Sequence, residues 1–176
     1  MKLLGEHQAE NAVLALEALA ASGLRVPDEA VNVGIATAFM PARTERISTD
    51  PFVLLDGSHN PNGLSALAAL LDRLDIHHAV GIVGMMADKD IDTALWNIYP
   101  YFDTLITLTV TGNPRSISAD DLLAKVAGKV KNTFAAPDIP SALSMASTIS
   151  DQDPLIVFGS LYLAGEIRDP LQEYFC

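Results

Sequence analysis

The sequence predicts an α/β domain with a mostly parallel open sheet of about six strands, one antiparallel at the edge, and helices on both faces. Three observations lead there. From Glu45 onward, short apolar runs alternate with amphipathic stretches, the order of strand and helix in a parallel sheet. Runs such as Leu155-Ile-Val-Phe158 are continuously apolar, as strands buried on both faces are. Asp50-Pro51, set between Arg46-Ile-Ser-Thr49 and Phe52-Val-Leu-Leu55, reads as a hairpin, which makes one edge strand antiparallel.

The elements follow in order. Residues 5 to 21 read as a helix with apolar Ala12, Leu14, Ala15, Leu16, Leu19 and Ala20, stopped by Gly23. Pro27-Asp28-Glu29 opens a second helix, with Pro in its first turn and acids where the helix dipole favours them. Its apolar positions Ala30, Val33, Ile35, Ala38 and Phe39 make a core face. Two helices alone bury little, so residues 1–40 are expected to pack on something outside this chain or to form a small annex. Met40-Pro-Ala-Arg43 breaks the pattern and reads as a hinge. Beyond the hairpin the expected order is helix 61–74, strand 79–85, helix 90–99, strand 104–110, helix 118–128, strand 132–136, helix 139–149, strand 154–158 and helix 161–168.

Composition narrows the function. The 176 residues suffice for one domain with an ordinary core. Hydrophobic content of 49% is high for a soluble protein, yet no window approaches the ~18 uncharged apolar residues of a membrane span. A net charge of −11 argues against nucleic-acid or anionic-membrane binding, which need a basic surface. An anionic substrate must therefore be held by a few placed cations or by backbone amides. The single cysteine, Cys176, excludes a disulfide framework or a Cys-rich metal site. Met1-Lys-Leu-Leu-Gly-Glu-His7 lacks the apolar core of a signal peptide, and the expectation is a soluble cytoplasmic protein.

Chemistry concentrates after the strands. Phe52-Val-Leu-Leu55 is followed by Asp56-Gly-Ser-His-Asn-Pro61 and then by a helical run, which places Asp56, Ser58, His59 and Asn60 at the carboxyl edge of the sheet. Open α/β sheets bind ligands at that edge. Met86-Ala-Asp-Lys-Asp-Ile91, Thr111-Gly-Asn-Pro-Arg115 and Gly159-Ser-Leu-Tyr162 end other strands and converge there if the strands are parallel. The plainer reading makes these loops solvated connections, with Asp90 and Ser118 as helix caps. Asp56 either caps its own turn or contacts a nucleotide or metal. His59 either opens the helix or exchanges a proton with a reacting amine. His77 and His78 read as structural, Asp88 and Asp90 as an ordinary loop, and Trp96, Tyr99, Tyr101 and Phe102 as core and rim. The chain contains neither G-x-x-x-x-G-K-S/T nor G-x-G-x-x-G, and no G-x-S-x-G, H-E-x-x-H or C-x-x-C.

Four segments together carry a family resemblance: Gly5-Glu-His-Gln-Ala-Glu-Asn-Ala12, Pro41-Ala-Arg-Thr-Glu45, Asp56-Gly-Ser-His-Asn-Pro61 and Gly159-Ser-Leu-Tyr-Leu-Ala-Gly-Glu-Ile-Arg168. In this order and spacing they resemble the folylpolyglutamate synthase/dihydrofolate synthase branch of the Mur ligases, as does Gly84-Met-Met-Ala-Asp-Lys-Asp90. The resemblance covers nearly the whole chain. It implies a Rossmann-like C-terminal domain of an ATP- and Mg²⁺-dependent amide ligase. A folate or dihydropteroate carboxylate becomes an acyl phosphate, which the amine of L-glutamate attacks. It further implies a helical tail of a central ATPase domain over 1–40, a hinge over 41–44 and the glutamate-ligase domain over 45–176. The phosphate loop and most Mg²⁺ ligands would lie on an N-terminal domain of the same, monomeric polypeptide, so the isolated chain is expected to be inactive.

Carried over by residue, Asn11 resembles the asparagine on the adenine side of ATP, Arg43 the hinge arginine at its phosphates, and Asp56 the aspartate at the ribose. His59, Lys89 and Ser160 match positions where the incoming amino acid is placed, with Lys89 a cation and Ser160 a hydroxyl donor for its carboxylate, and Tyr162 a further candidate. Ala42 stands where the family usually has Gly. Two other readings stay open: a different Mur-type ligase, acting on a muramyl peptide or cyanophycin, and a stand-alone binding or regulatory module of flavodoxin-like architecture.

Overall fold

The computed structural model describes residues 3–149 and 152–175; Met1, Lys2 and Cys176 lie outside them. Its elements are α1 (Glu6–Ala21), α2 (Asp28–Thr37), β1 (Glu45–Thr49), β2 (Phe52–Leu55), α3 (Pro61–Arg73), β3 (Ala79–Val83), α4 (Ile91–Leu95), β4 (Phe102–Leu108), α5 (Ala119–Val126), β5 (Asn132–Ala136), α6 (Ile139–Ile149), β6 (Leu155–Phe158) and α7 (Leu161–Phe175). They build one six-stranded sheet in the order β1-β2-β6-β3-β4-β5. β1 pairs antiparallel with β2, and every other neighbouring pair is parallel. The predicted class and its antiparallel edge are both present.

Alternation along the strands sorts side chains into two cores. Leu54, Leu105, Ile156 and Phe158 face α3, α4 and α5, where Leu64, Leu67, Leu71, Ile91, Leu95 and Leu122 meet them. Val53, Leu55, Ile82, Ile106 and Val157 face the other way, against Leu143 of α6 and Leu163, Ile167 and Leu171 of α7. The last strand, β6, is inserted between β2 and β3, with Val53 opposite Leu155 and Val80 opposite the same residue on the other side.

Several boundaries depart from the sequence reading. The expected helix 90–99 ends at Leu95 and gives way to a 3-10 turn over Tyr99–Tyr101. Pro100 has no N–H to donate to the carbonyl four residues back, so the α-helical ladder cannot continue through it. β4 starts at Phe102 rather than 104, because buried Phe102 pairs with Ala79 and stacks on Phe158 at 5.2 Å. α7 continues past the expected stop at 168, through Pro170 to Phe175. Fully buried Leu171 and partly buried Phe175 hold those last turns to the core, outweighing the hydrogen bond that proline cannot make. Trp96, expected at the core or its rim, is 69% exposed.

The expected core face of the second helix has no core to face. None of α2 is buried, and Val33 and Phe39 are 56% and 51% exposed. In α1 only Gln8 is buried among the described residues. The two helices leave an apolar groove of about 440 Å³ between them, lined by Ala12, Ala15, Leu16, Leu19, Val31 and Ile35. Their ties to the sheet domain include a Glu6–Arg73 ion pair and a hydrogen bond from Thr44 Oγ1 to Leu4 O of 2.8 Å.

Truncating the side chain beyond Pro170 tests the account of α7. Leu171→Ala is expected to lower the unfolding free energy by about 2–5 kcal/mol, the usual range for emptying a fully buried leucine site. Chemical denaturation measures it, and a loss near zero would show that the final turns of α7 are not anchored as described.

Candidate functional site

The position of β6 creates the site. α3 leaves β2 towards one face of the sheet and α7 leaves β6 towards the other, while α4 leaves β3 on the side of α3. Helices diverging from adjacent parallel strands leave a crevice at the strands' carboxyl ends. Its walls are residues 56–60 after β2, 84–90 after β3 and 159–160 after β6. The walls are bonded together: the Gly159 N–H donates to Ser58 O at 2.9 Å, and the Asp56 N–H to Val157 O at 2.8 Å. Gly159 is left-handed at φ 105°, and a Cβ there would stand 2.7 Å from Gly84 O. A side chain would push the β3 and β6 loops apart.

Asp56 sits where the crevice meets the linker over 41–44. It is 4% exposed, and both carboxylate oxygens accept backbone N–H groups: Oδ1 from Ser58 and Oδ2 from Thr44, each at 2.8 Å. The first bond is the Asx-turn considered from sequence; the second reaches across to the hinge. Ala42 O accepts the Gly57 N–H at 2.8 Å, so the linker is pinned to this loop twice. His59 Nδ1 lies 2.9 Å from Gly57 O. A carbonyl can only accept, so Nδ1 carries the proton and Nε2 of the neutral ring is left as a base. Asn60 caps α3 by accepting the Gly63 N–H at 2.9 Å, and Pro61 opens the helix.

The linker over 41–44, expected from the sequence to be a hinge, is unusual backbone. Ala42 and Thr44 are both left-handed, at φ 58° and 46°, and both are buried, while Arg43 between them is exposed. The Arg43 side chain has no hydrogen-bond or ion-pair partner among the described residues. Gly would adopt the Ala42 conformation without penalty, which gives the family's usual residue there a physical reason. Glu45 follows, its side chain 5% exposed and gripped by Arg168 of α7 at 2.8 to 3.1 Å. These bonds hold the Arg168 guanidinium pKa above its ordinary value.

On the far wall, Lys89 is exposed in the turn after β3, and its ammonium has no partner among the described residues. Asp88 pairs with Arg115 at 3.3 Å, and Asp90 caps α4 by accepting the Thr93 N–H at 3.2 Å. Ser118 caps α5 in the same way, so both predicted caps are present. Ser160 is 3% exposed, and its Oγ accepts the Tyr162 N–H at 3.0 Å at the start of α7. Tyr162 itself is half exposed. Arg115 was passed over in the sequence. The Ala87 N–H donates to its carbonyl at 2.7 Å, which ties the β4 loop beside Lys89. Lys89 was singled out by the family resemblance; the residue-level signal that could have found Arg115 is a cation at a strand end of an acidic chain.

Five of the six sequence candidates therefore lie at the crevice or its adjoining hinge: Arg43, Asp56, His59, Lys89 and Ser160. Asn11 does not. It lies on α1, lines the α1–α2 groove and donates to Gln8 Oε1 at 3.3 Å. Among the described residues no group of three or more His, Cys, Asp or Glu side chains could hold a metal ion, so those residues do not by themselves fit a Mg²⁺ site. No helix among them is long and apolar enough to cross a membrane.

Residues 42–161 match the family described as Mur ligase, glutamate ligase domain. The chain belongs to that family. Dihydrofolate synthase/folylpolyglutamate synthase of Mycobacterium tuberculosis is 34% identical, over 96% of this chain and 39% of its own length. The structure of Mycobacterium tuberculosis folylpolyglutamate synthase complexed with ADP superposes with a TM-score of 0.87 at 32% identity, covering 96% of this chain and 41% of that one. The bifunctional Yersinia pestis folylpolyglutamate synthase/dihydrofolate synthase, complexed with AMPPNP and a Mn ion, gives 0.75 at 30% identity over 89% and 37%. This Mur ligase domain thus spans about two fifths of the length of the curated relative it matches. The stand-alone module considered from sequence is not favoured.

Asp56 offers the sharpest check on the hinge–crevice join. Asp56→Asn replaces one accepting oxygen by an N–H donor facing a buried N–H. It is expected to cost about 1–3 kcal/mol of stability with no ligand present. Denaturant unfolding measures this, and an unchanged midpoint would contradict the two backbone bonds.

Proposed function

We propose that this chain is the glutamate-placing wall of an ATP-dependent amide ligase that joins L-glutamate to a folate or dihydropteroate carboxylate. The observation that carries the reading is His59. Its Nδ1–H is committed to Gly57 O, which leaves Nε2 as a base on the loop after β2, next to the β6 loop that holds Ser160, with the β3 loop that holds unpaired Lys89 beyond it. The names of the relatives, and the nucleotides bound in their structures, agree with this chemistry.

In this reading the carboxylate is activated by phosphoryl transfer from ATP, and the glutamate amine attacks the resulting acyl phosphate. This chain's own residues bind, orient and exclude water. Lys89 holds a glutamate carboxylate, Ser160 donates its hydroxyl proton to one, and His59 Nε2 receives the proton released as the amide forms. Arg43, exposed and unpaired at the hinge, supplies its fork to the ATP phosphates. Asp56 offers the ribose only the lone pairs that its two backbone bonds leave free. Asn11 approaches the adenine from α1. A Mg²⁺ requirement would be met largely outside this chain.

The domain reading follows the same lines. The uncovered apolar faces of α1 and α2 suit residues 1–40 packing on another domain of a longer cytoplasmic polypeptide, with 41–44 as hinge and 45–176 as ligase domain. Closure about that hinge would bring the crevice over the phosphate-handling domain and keep water from the acyl phosphate.

The test is Lys89→Ala in the full-length protein. It is expected to raise the KM for L-glutamate at least about tenfold, the order for losing a charge-assisted contact, while the KM for ATP changes little. Steady-state kinetics with each substrate varied in turn decides it, and equal effects on both constants would refute the placement of glutamate.

A further inference from the structure

Arg168 touches the hinge at both of its ends. Its guanidinium lies 6.0 Å from the ring centroid of Phe39, just before the linker, and forks onto the Glu45 carboxylate just after it, with Nε at 3.0 and 3.1 Å and Nη2 at 2.8 Å. Glu45 Oε2 also accepts the Ala42 N–H at 2.9 Å, from inside the linker. One buried carboxylate thus joins α7 to the hinge backbone. Left-handed Ala42 and Thr44 are unfavourable for residues with a Cβ, so the linker keeps this shape only while its amides are held. Ala42 is held through its N–H by Glu45, and Thr44 through its N–H by Asp56. The residue between them is Arg43.

We propose that the Glu45–Arg168 ion pair is a positioning device for Arg43. It locks the hinge in the left-handed shape that presents the Arg43 guanidinium, unpaired, to the nucleotide phosphates. Two features support this over a purely structural pair. The pair bonds to the linker backbone itself, at the residue preceding Arg43. It also occupies Arg168, so that guanidinium is not available to an anion, while exposed Arg43 has no partner among the described residues. Glu45 and Arg168 are positioning residues and touch no substrate. The inference rests on the reading of Arg43 as a phosphate contact.

The experiment uses the full-length protein with Arg43→Ala, Glu45→Gln and Arg168→Lys, each mutant also combined with Arg43→Ala. Arg168→Lys keeps the charge and loses the fork, so it is the variant expected to fold even if Glu45→Gln does not. Two readouts are taken: amide hydrogen exchange at residues 42–44, and ADP affinity by calorimetry beside the KM for glutamate. The expected result is that Arg168→Lys speeds exchange at Ala42 about tenfold, as for loss of one charge-assisted tether, and weakens ADP binding with glutamate KM little changed. In the Arg43→Ala background the same change should weaken ADP binding no further, the non-additivity of residues acting through one group. Unchanged exchange in Arg168→Lys overturns the lock. Faster exchange with full ADP affinity, or additive losses with Arg43→Ala, overturns its action through Arg43. ADP affinity unchanged by Arg43→Ala alone overturns the phosphate reading of Arg43, and the positioning role with it, while exchange still reports the lock separately.

Discussion

The insertion of β6 between β2 and β3 is the constraint on which the rest of the structure depends. The chain completes β2, β3, β4 and β5 before returning across the sheet to fill the gap that the first crossover leaves. α7, which leaves β6, packs on the face opposite α3 and α4. The crevice between the diverging helices is therefore a result of topology, and its walls come from segments about a hundred residues apart in sequence. The close approach at Gly159, with Gly84 O where a Cβ would stand, shows how tightly the third wall is drawn in.

A second layer of organisation comes from two buried carboxylates. Asp56 and Glu45 each bond the backbone of the linker, at Thr44 and Ala42 respectively. In a chain of net charge −11 these are among the few acids that are buried, and each is satisfied by donors that fix a shape. The cations divide in the same way. Arg168 is consumed by Glu45 and Arg115 faces Asp88, while Arg43 and Lys89 are left uncommitted at the hinge and crevice.

Much of this was legible in the residues, because the signals were local. Continuous apolar runs marked β3 and β6, the Asp50-Pro51 turn marked the antiparallel edge, and Asn60-Pro61 and Ser118 marked helix starts. What could not be read was what non-local contacts decide. α7 runs past Pro170 because Leu171 finds a core, and Phe102 joins β4 because Phe158 lies beneath it. The apolar stripe of α2 looked like a core face, yet periodicity cannot say whether a partner surface is present. At the site, residue types picked out Asp56 and His59 and the family resemblance added Lys89 and Ser160, but neither gave a hint that Asp56 bonds the linker backbone. Nor did Glu45 and Arg168, both inside motifs, announce that they meet across 123 residues. Ion-pair partners that distant leave no trace in spacing.

In the proposed reading the crevice is half a site. Its three walls carry a base, a free cation and a hydroxyl that accepts the Tyr162 N–H, and the linker beside it carries a second free cation aimed at a nucleotide held elsewhere. The most direct measurement is a crystal structure of the full-length protein with a nucleotide analogue and L-glutamate. Glutamate is expected in the β2–β6–β3 crevice, with its amine within hydrogen-bond distance of His59 Nε2 and a carboxylate on Lys89. Glutamate bound away from the 56–60, 84–90 and 159–160 loops, with that crevice closed to it, would contradict the account.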